Sequence, residues 1–206
     1  MLAAPGNYGA DIVCGDLQPL GIHMYTGGGL GGFLANKDIP RYSSQNPLVL
    51  VSIASAGRKG EFGFGYSTFE RTPYIVREKG LDYVGTTVGL WSIVAGVYLA
   101  LMGPKGMREV GEMIIQKSHY AAKRLGEIDG VELPFSSPFF KEFVVRFKKK
   151  SVREINRSLI DRKIFGGKDL TNEFPQLGKS ALYCVTEVHT KATIDRLADA
   201  IGRAAK

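Results

Sequence analysis

The feature that most constrains this fold is a stretch without charged residues, residues 83–104 of a 206-residue chain. Its length matches the roughly 20 apolar residues that cross a bilayer. However, glycine, serine and threonine interrupt it, and its flanks carry both signs, Asp82 and Lys105. A helix that is apolar on every side and lies outside a membrane must be covered by protein on every side. We therefore predict a helix buried inside a cytoplasmic protein, with no membrane partner.

Glycine and proline set the ends of this predicted helix. It should run over residues 85–102 and stop at Gly103, and Pro104 should open a second helix that ends near Gly130. Residues 1–8 lack a basic segment followed by an apolar run, so no secretory signal is expected.

The N-terminal part of the chain predicts strands. Residues 9–15 indicate a short buried strand, and residues 32–36 a second one. Residues 48–54 and 62–67 flank a glycine-containing turn and predict a hairpin. No helix precedes the first strand, although a buried strand normally needs a covering layer on each face.

The C-terminal part predicts a small α+β unit. Residues 142–147 and 182–186 indicate two strands. Ser151, with Glu154 three residues later, is a capping-box pattern, and Thr190 is expected to cap a last helix. The order strand, helix, strand, helix closes a unit of this kind.

The formal net charge of +7 raises the question of a nucleic-acid partner. The longest basic run, the three lysines of residues 148–150, has no interleaved aromatic residues to stack on bases. Acidic Glu154 and Asp161 follow it. We expect a solvated face and no nucleic-acid partner.

Candidate metal-binding and redox side chains are few. Two cysteines, Cys14 and Cys184, cannot form a disulfide framework, and Cys14 is expected to be a small residue of a buried strand. The three histidines, His23, His119 and His189, show no ligand spacing, so no metal site is predicted. His119 and His189 are expected to be surface or structural residues, whereas His23 lies near a glycine run.

That glycine run, residues 27–32, satisfies the pattern G-x-G-x-x-G. A dinucleotide site requires a helix immediately afterwards, whose N-terminal amides hold the pyrophosphate. Here residues 33–36 read as strand, and residues 48–53, where an acidic residue for the ribose is expected, have none. The pattern therefore does not predict a nucleotide site.

Three stretches carry a resemblance to a known family. Residues 9–21 read G-A-D-I-V-C-G-D-L-Q-P-L-G and precede the glycine run, and residues 77–79 read R-E-K. Residues 95–109, A-G-V-Y-L-A-L-M-G-P-K-G-M-R-E, are the most distinctive. On these motifs the chain resembles the C-terminal half of the first subunit of the glycine decarboxylase P-protein of the glycine cleavage system.

The resemblance implies an α/β fold, the C-terminal part of the pyridoxal-phosphate-dependent transferase fold (aspartate aminotransferase-like, fold type I). Residues 1–130 would form the C-terminal portion of the large α/β domain with its connecting helices. Residues 131–206 would form the small α+β C-terminal domain. The chain would then begin inside the large domain, and the missing layers would be absent or supplied separately.

The resemblance also implies where the cofactor is attached. The related catalytic subunit carries its cofactor lysine in a His-Lys pair, which falls here on Gln18 and Pro19. Proline has no side-chain amine, so this chain is expected to have no catalytic residue. Pyridoxal phosphate would be bound covalently by the partner, glycine dehydrogenase subunit 2. The residues expected near that partner's cofactor are Gly27, Gly28, Gly29 and His23.

The implied activity belongs to a heteromer, the aminomethyl-transferring glycine dehydrogenase (decarboxylating), an oxidoreductase of glycine catabolism. Pyridoxal phosphate acts as the electron sink while glycine loses carbon dioxide, and the aminomethyl group passes to the lipoyl group of the H-protein. The present chain would shape the site and the interface, and alone it is expected to be inactive.

The chain departs from the family pattern next to the second motif. The family usually continues R-E-K with A-T-S-N, whereas residues 80–83 read G-L-D-Y, and the family's preceding histidine corresponds to Tyr74. Arg58, Arg71 and Arg77 offer planar donors for a carboxylate, although ordinary salt bridges explain them as well.

Two alternatives stay open. The chain is an enzyme of another pyridoxal-phosphate family, with Lys37 or Lys59 as the cofactor lysine. Otherwise it is a non-enzymatic relic or scaffold domain that only binds a partner.

Overall fold

The computed structural model describes residues 3–22, 31–43, 45, 48–49, 51–66, 83–84 and 89–206. The chain divides into two compact units, residues 2–103 and residues 104–206. This division falls at the glycine–proline break between two helical segments. The domain boundary after residue 130 stays a prediction.

The first unit consists mainly of short strands. Its elements are, in chain order, a 3-10 turn at Pro5–Tyr8, β1 (Ile12–Asp16), β2 (Gly32–Asn36), α1 (Pro40–Ser43), β3 (Leu48–Val49), β4 (Val51–Ser55), β5 (Phe62–Tyr66) and β6 (Tyr83–Val84). β1 pairs antiparallel with β2 and β4 with β5, whereas β3 and β6 pair in parallel. Among the residues that the structure describes, each of these sheets has two strands. The predicted strand at residues 32–36 is confirmed, and so is the predicted hairpin, except that residues 48–49 belong to β3 and pair with β6 instead.

β1 differs from its prediction in both position and burial. It begins at Ile12 because Gly9 closes the preceding 3-10 turn with φ of 92°, outside the extended region. Ile12 is 56% exposed and Cys14 is exposed, so the predicted burial of this strand is wrong within this chain. The physical reason is that the described residues leave these side chains uncovered.

A long helix, α2 (Gly89–Gly126), breaks at Gly103 as predicted. Gly103 has φ of 61° and ψ of 178°, and Pro104 follows it. The helix is long and apolar enough to cross a bilayer by length and composition alone, yet only 6% of its apolar window is buried. Leu90 and Leu101 are 68% and 82% exposed, so the prediction of a buried helix is wrong within this chain. The predicted start, residues 85–88, lies outside the described residues.

The second unit packs helices on one sheet. Its further elements are β7 (Val131–Glu132), β8 (Glu142–Phe147), α3 (Val152–Ile160), β9 (Lys168–Asp169), a 3-10 turn at Pro175–Leu177, β10 (Ser180–Cys184) and α4 (Lys191–Ala204). The sheet order is β7-β8-β10-β9, antiparallel throughout. Leu125, Val145, Leu159 and Ile201 lie in one buried core shared by α2, α3, α4 and the sheet. The predicted order of strand, helix, strand and helix is confirmed, with β7 and β9 as additional strands.

Both predicted helix caps are confirmed. The Ser151 hydroxyl accepts a hydrogen bond from the backbone N–H of Glu154, and the Glu154 carboxylate accepts one from the backbone N–H of Ser151. Thr190 caps α4 through the same reciprocal arrangement with Thr193. Each cap satisfies N–H groups that have no partner inside the helix.

Asp195 connects α4 to α2 in the second unit. Its carboxylate accepts hydrogen bonds from Lys191 Nζ at 2.6 Å, from the Tyr120 hydroxyl and from Arg124 Nε at 3.3 Å. The hydrogen bond from Lys191, followed by that from Tyr120, lowers the pKa of Asp195 from 3.8 to about 2. The ionised carboxylate is therefore the form that favours the folded state.

We predict that Asp195 makes stability depend on pH in the acid range. Because its pKa is lower in the folded state, its contribution is complete above about pH 4 and is lost as the pH falls towards about 2. Urea unfolding of the wild type and of Asp195→Asn should therefore show a stability difference at pH 7 that shrinks between pH 4 and pH 2. Asp199→Asn, on the same helix, is the control. A difference that does not change with pH would contradict the prediction.

We also predict opposite effects of alanine at two glycines of this unit. A β-carbon on Gly167 would lie 2.7 Å from the Tyr183 ring and 2.8 Å from the Leu182 backbone oxygen, so Gly167→Ala should destabilise by about 1–3 kcal/mol. A β-carbon on Gly202, in α4, would meet Ile128 at an ordinary 3.8 Å, so Gly202→Ala should stabilise by about 0.5–1 kcal/mol. Urea unfolding measures both, and a neutral Gly167→Ala would contradict the packing.

Candidate functional site

The turn after β1 is the segment on which the resemblance places the cofactor lysine of the related catalytic subunit. Asp16 Oδ1 accepts the backbone N–H of Gln18 at 3.0 Å, and the Gln18 carbonyl accepts the backbone N–H of Ile22 at 3.3 Å. The backbone N–H of Leu17 donates to the Gly31 carbonyl at 2.6 Å. These bonds hold residues 17–22 as a closed turn next to the start of β2.

Apolar contacts with α2 fix this turn within the first unit. Ile22 is 3% exposed, and a β-carbon on Gly31 would lie 3.4 Å from Trp91 Cβ and 3.7 Å from Ile22 Cδ1. Gly21 has φ of 80°, and a β-carbon there would lie 3.1 Å from the Tyr98 ring. The turn therefore requires glycine at residue 21 for both its backbone conformation and its closeness to the helix.

The residues at the aligned lysine position do not fit covalent attachment of pyridoxal phosphate. Pro19 is exposed and has no side-chain amine. The Gln18 side-chain amide donates to the Ile22 carbonyl at 3.3 Å, and an amide is not a nucleophile. The described turn can therefore form a wall of a site, but it cannot hold the aldehyde of the cofactor.

The two alternative lysines fit no better. Lys37 Nζ lies 2.6 Å from Asp11 Oδ1, and both side chains are about half exposed. The hydrogen bond and charge of Asp11 raise the pKa of Lys37, which keeps its amine protonated and non-nucleophilic. Lys59 lies exposed in the turn between β4 and β5.

Several residues predicted for the site lie outside the described part of the chain. They are His23, Gly27, Gly28, Gly29, Arg71, Tyr74 and Arg77. Arg58 is described, and it pairs with Glu61 at 3.7 Å while 85% exposed. An exposed pair of this kind contributes little, so Arg58 behaves as the ordinary salt bridge considered above.

The histidines of the second unit are structural, as predicted. The ring of His119 stacks on Phe139 at 4.2 Å, and its Nε2 lies 3.0 Å from the Phe139 carbonyl oxygen. His189 Nδ1 accepts the backbone N–H of Thr186 at 3.0 Å. Within the described ranges, no three histidine, cysteine or acidic side chains come together as metal ligands.

Two features of the described structure had no signal in the sequence. The pair of Asp11 and Lys37 joins residues 26 positions apart, and neither motif analysis nor periodicity indicates it. A groove of about 230 Å³ in the second unit is lined mainly by apolar residues, including Leu133, Phe135 and Leu182. Its lining holds no lysine or arginine, so it offers a phosphate group no cation.

Comparisons with known proteins agree with the resemblance found in the motifs. Residues 1–201 match the family described as glycine cleavage system P-protein. The chain is 36% identical over 202 residues to "Probable glycine dehydrogenase (decarboxylating) subunit 1" of Desulfitobacterium hafniense. The aligned region covers 98% of this chain and 44% of that protein. The chain is 40% identical over 206 residues to the protein of the same name from Saccharolobus solfataricus, again covering 44% of it. The chain thus spans less than half the length of these relatives.

Solved structures give the same picture of the fold. A crystal structure of glycine decarboxylase (P-protein) of the glycine cleavage system in inhibitor-bound form matches 99% of this chain, with a TM-score of 0.83 and 33% identity, over 45% of its own length. Sphingosine-1-phosphate lyase of Burkholderia pseudomallei matches 95% of this chain and 37% of its own, with a TM-score of 0.62 at 16% identity, which shows the fold alone. The predicted fold, that of pyridoxal-phosphate-dependent enzymes of fold type I, is confirmed.

The turn after β1 supplies a test of this geometry. Gly21→Ala should destabilise the turn by about 1–2 kcal/mol, because its φ of 80° is unfavourable for a residue with a β-carbon. Hydrogen exchange of the Leu20 and Ile22 amides should accelerate by roughly 5- to 30-fold. Gly57→Ala is the matched control, because a β-carbon there meets nothing within 4 Å. Equal exchange in both variants would show that the turn is not held as described.

Proposed function

The chain belongs to the glycine cleavage system P-protein family, and we propose that it works as a non-catalytic subunit of a heteromeric glycine decarboxylase. The observation that carries this proposal is the match of residues 1–201 to the family, combined with an exposed proline at the aligned lysine position. The first supports the assembly, and the second supports placing the cofactor lysine in another subunit.

The proposed reaction has two parts that the assembly performs together. The bond between the α-carbon and the carboxylate of glycine breaks, and carbon dioxide leaves. The aminomethyl carbon then bonds to one sulfur of the lipoyl disulfide on the H-protein, and the other sulfur becomes a thiol. Pyridoxal phosphate, held by glycine dehydrogenase subunit 2, supplies the electron sink for this chemistry.

In this proposal the chain's own residues shape the site. The closed turn of residues 17–22 precedes, and β2 follows, the segment that contains the glycine run, which begins eight residues after Pro19. Gly27, Gly28, Gly29 and His23 belong to this segment in sequence, and we propose that they are the residues of this chain near the partner's cofactor. Glycines suit that position because a backbone without side chains can approach a ligand closely.

The same proposal includes partners and a cellular compartment. The partners are glycine dehydrogenase subunit 2 and the lipoyl H-protein, and the compartment is the cytoplasm. Neither a nucleic acid nor a membrane takes part. Pairing of Lys37 with Asp11 argues against the second candidate function, an enzyme of another pyridoxal-phosphate family.

The test is co-expression with glycine dehydrogenase subunit 2. The complex purified through a tag on this chain should catalyse exchange of labelled bicarbonate into the carboxyl group of glycine, dependent on lipoyl H-protein. The individual subunits should not. Gly28→Val should lower the exchange rate by roughly 10- to 100-fold, because a displaced wall misplaces the reacting groups. Gly57→Val is the control, because its position lies open in the turn between β4 and β5.

Two results would contradict the proposal. A purified complex without glycine-dependent exchange would exclude a part in decarboxylation and favour the scaffold domain. Exchange by subunit 2 and H-protein at the same rate without this chain would show that the chain contributes nothing to the site.

A further inference from the structure

The second unit carries the whole net charge of the chain. Residues 2–103 contain seven basic and seven acidic side chains, whereas residues 104–206 contain 20 basic and 13 acidic ones. The formal net charge of +7 is therefore concentrated in the second unit. An excess of one sign on a protein surface attracts partners of the opposite sign.

Part of this excess lies where the turn between β8 and α3 meets the start of β10. Lys179 Nζ donates to the Lys149 carbonyl at 2.6 Å, and the backbone N–H of Phe147 donates to the Lys179 carbonyl at 2.9 Å. These bonds join the two segments. We call the four cations at this junction the basic patch, which consists of Lys149, Lys150, Arg153 and Lys179. Lys150 is partly buried, and the other three side chains are exposed.

The acidic side chains closest to the patch in the fold have other partners. The Glu154 carboxylate accepts the backbone N–H and the hydroxyl of Ser151 at 2.7 and 2.6 Å, as part of the α3 cap. The Glu132 carboxylate pairs with Arg146 at 2.7 Å and with Lys148 at 2.9 Å. Within the part of the chain that the structure describes, no ion pair of 4.0 Å or less includes a cation of the basic patch.

Two lysines of the patch act on one carboxylate. The hydrogen bonds from Ser151, to which the charges of Lys150 and Lys179 add, lower the pKa of Glu154. The local balance is therefore four cations against a single carboxylate that already serves the helix cap. On a surface that is only solvated, both signs are normally interspersed. A cluster of one sign on a hydrogen-bonded backbone favours an oppositely charged partner.

The patch offers charge without exposed apolar surface. Phe147 and Val152, which lie between the cations in sequence, are 2% and 0% exposed. A permanent subunit interface has an apolar centre, so this surface suits a partner that binds and leaves. Basic segments that enter a lipid surface add apolar side chains to it. Stacking of nucleic-acid bases needs exposed aromatic rings, and the one aromatic side chain of residues 147–153 and 177–181 is the buried Phe147.

We propose that the basic patch is a docking surface for an acidic protein segment that binds reversibly. A lysine ammonium is a flexible point charge with three donors, so it accepts carboxylates in varied geometries. Charges of this kind steer association and add little affinity at each pair. The inference depends on the second unit alone and is independent of the proposed reaction.

The test measures binding of an acidic peptide to the full 206-residue chain. The probe is a short fluorescein-labelled homopeptide of glutamate, followed by fluorescence anisotropy at low ionic strength. Saturable binding that weakens as salt is added is expected. The triple variant Lys149→Gln/Lys150→Gln/Lys179→Gln should raise the dissociation constant roughly tenfold or more, because three of the four cations become neutral.

A charge-matched variant separates the patch from the net charge. Lys123→Gln/Lys163→Gln/Lys206→Gln also lowers the net charge from +7 to +4, at three exposed lysines outside the patch. It should raise the dissociation constant by less than roughly threefold.

A conservative variant separates charge from folding. Lys149→Arg/Lys150→Arg/Lys179→Arg keeps the three charges and should bind the peptide within roughly threefold of the wild type. Circular dichroism and urea unfolding of all three variants should match the wild type closely, because the substituted side chains lie at the surface.

Any of four results would overturn the inference. The first is the absence of saturable peptide binding, and the second is equal weakening by the two glutamine variants. The third is tighter binding of an oligouridylate with the same number of charges, lost in the patch variant, which would make RNA the partner. The fourth is flotation with phosphatidylserine vesicles at physiological ionic strength that the patch variant abolishes, which would make a lipid surface the partner.

Discussion

Apolar secondary structure needs a covering layer on each apolar face, and the two units of this chain meet that requirement differently. Residues 104–206 enclose their own core, in which Leu125, Ile155, Leu159 and Ile201 are almost completely buried. Among the described residues of the first unit, the buried apolar side chains are Ile22, in the turn after β1, and Ala95, in α2. Because burial is the dominant favourable contribution to folding, the second unit is the part with a self-sufficient source of stability.

The same asymmetry bears on function. The well-covered unit contains hydrogen-bonded histidines and an ion-pair network around Asp195, which all serve its packing. The segment on which the resemblance places the cofactor lysine lies in the other unit, where backbone hydrogen bonds close the turn and residue 19 is an exposed proline. A turn that is fixed by glycine packing and has no side-chain amine supports the proposal that another subunit holds the cofactor.

Local signals in the sequence predicted local structure well. The two helix caps, Ser151 with Glu154 and Thr190, lie where they were predicted, and so does the helix break at Gly103 and Pro104. Each of these features depends on only a few neighbouring residues. β7 and β9 were missed because two-residue strands exist only through pairing with distant β8 and β10. The burial of β1 and of the uncharged helix was predicted wrongly because burial depends on layers that the described residues do not supply. The family motifs, in contrast, indicated the fold type correctly, because they identify a family whose complete fold is known.

The central claim, that the cofactor is held by another polypeptide, is tested most directly by trapping its attachment site. The chain and glycine dehydrogenase subunit 2 are incubated together with pyridoxal phosphate, reduced with borohydride and digested for peptide mass spectrometry. We expect one lysine of subunit 2 to carry the reduced cofactor in stoichiometric amount, and Lys37, Lys59 and the other lysines of this chain to show only background labelling. Stoichiometric labelling of a single lysine of this chain would contradict the claim.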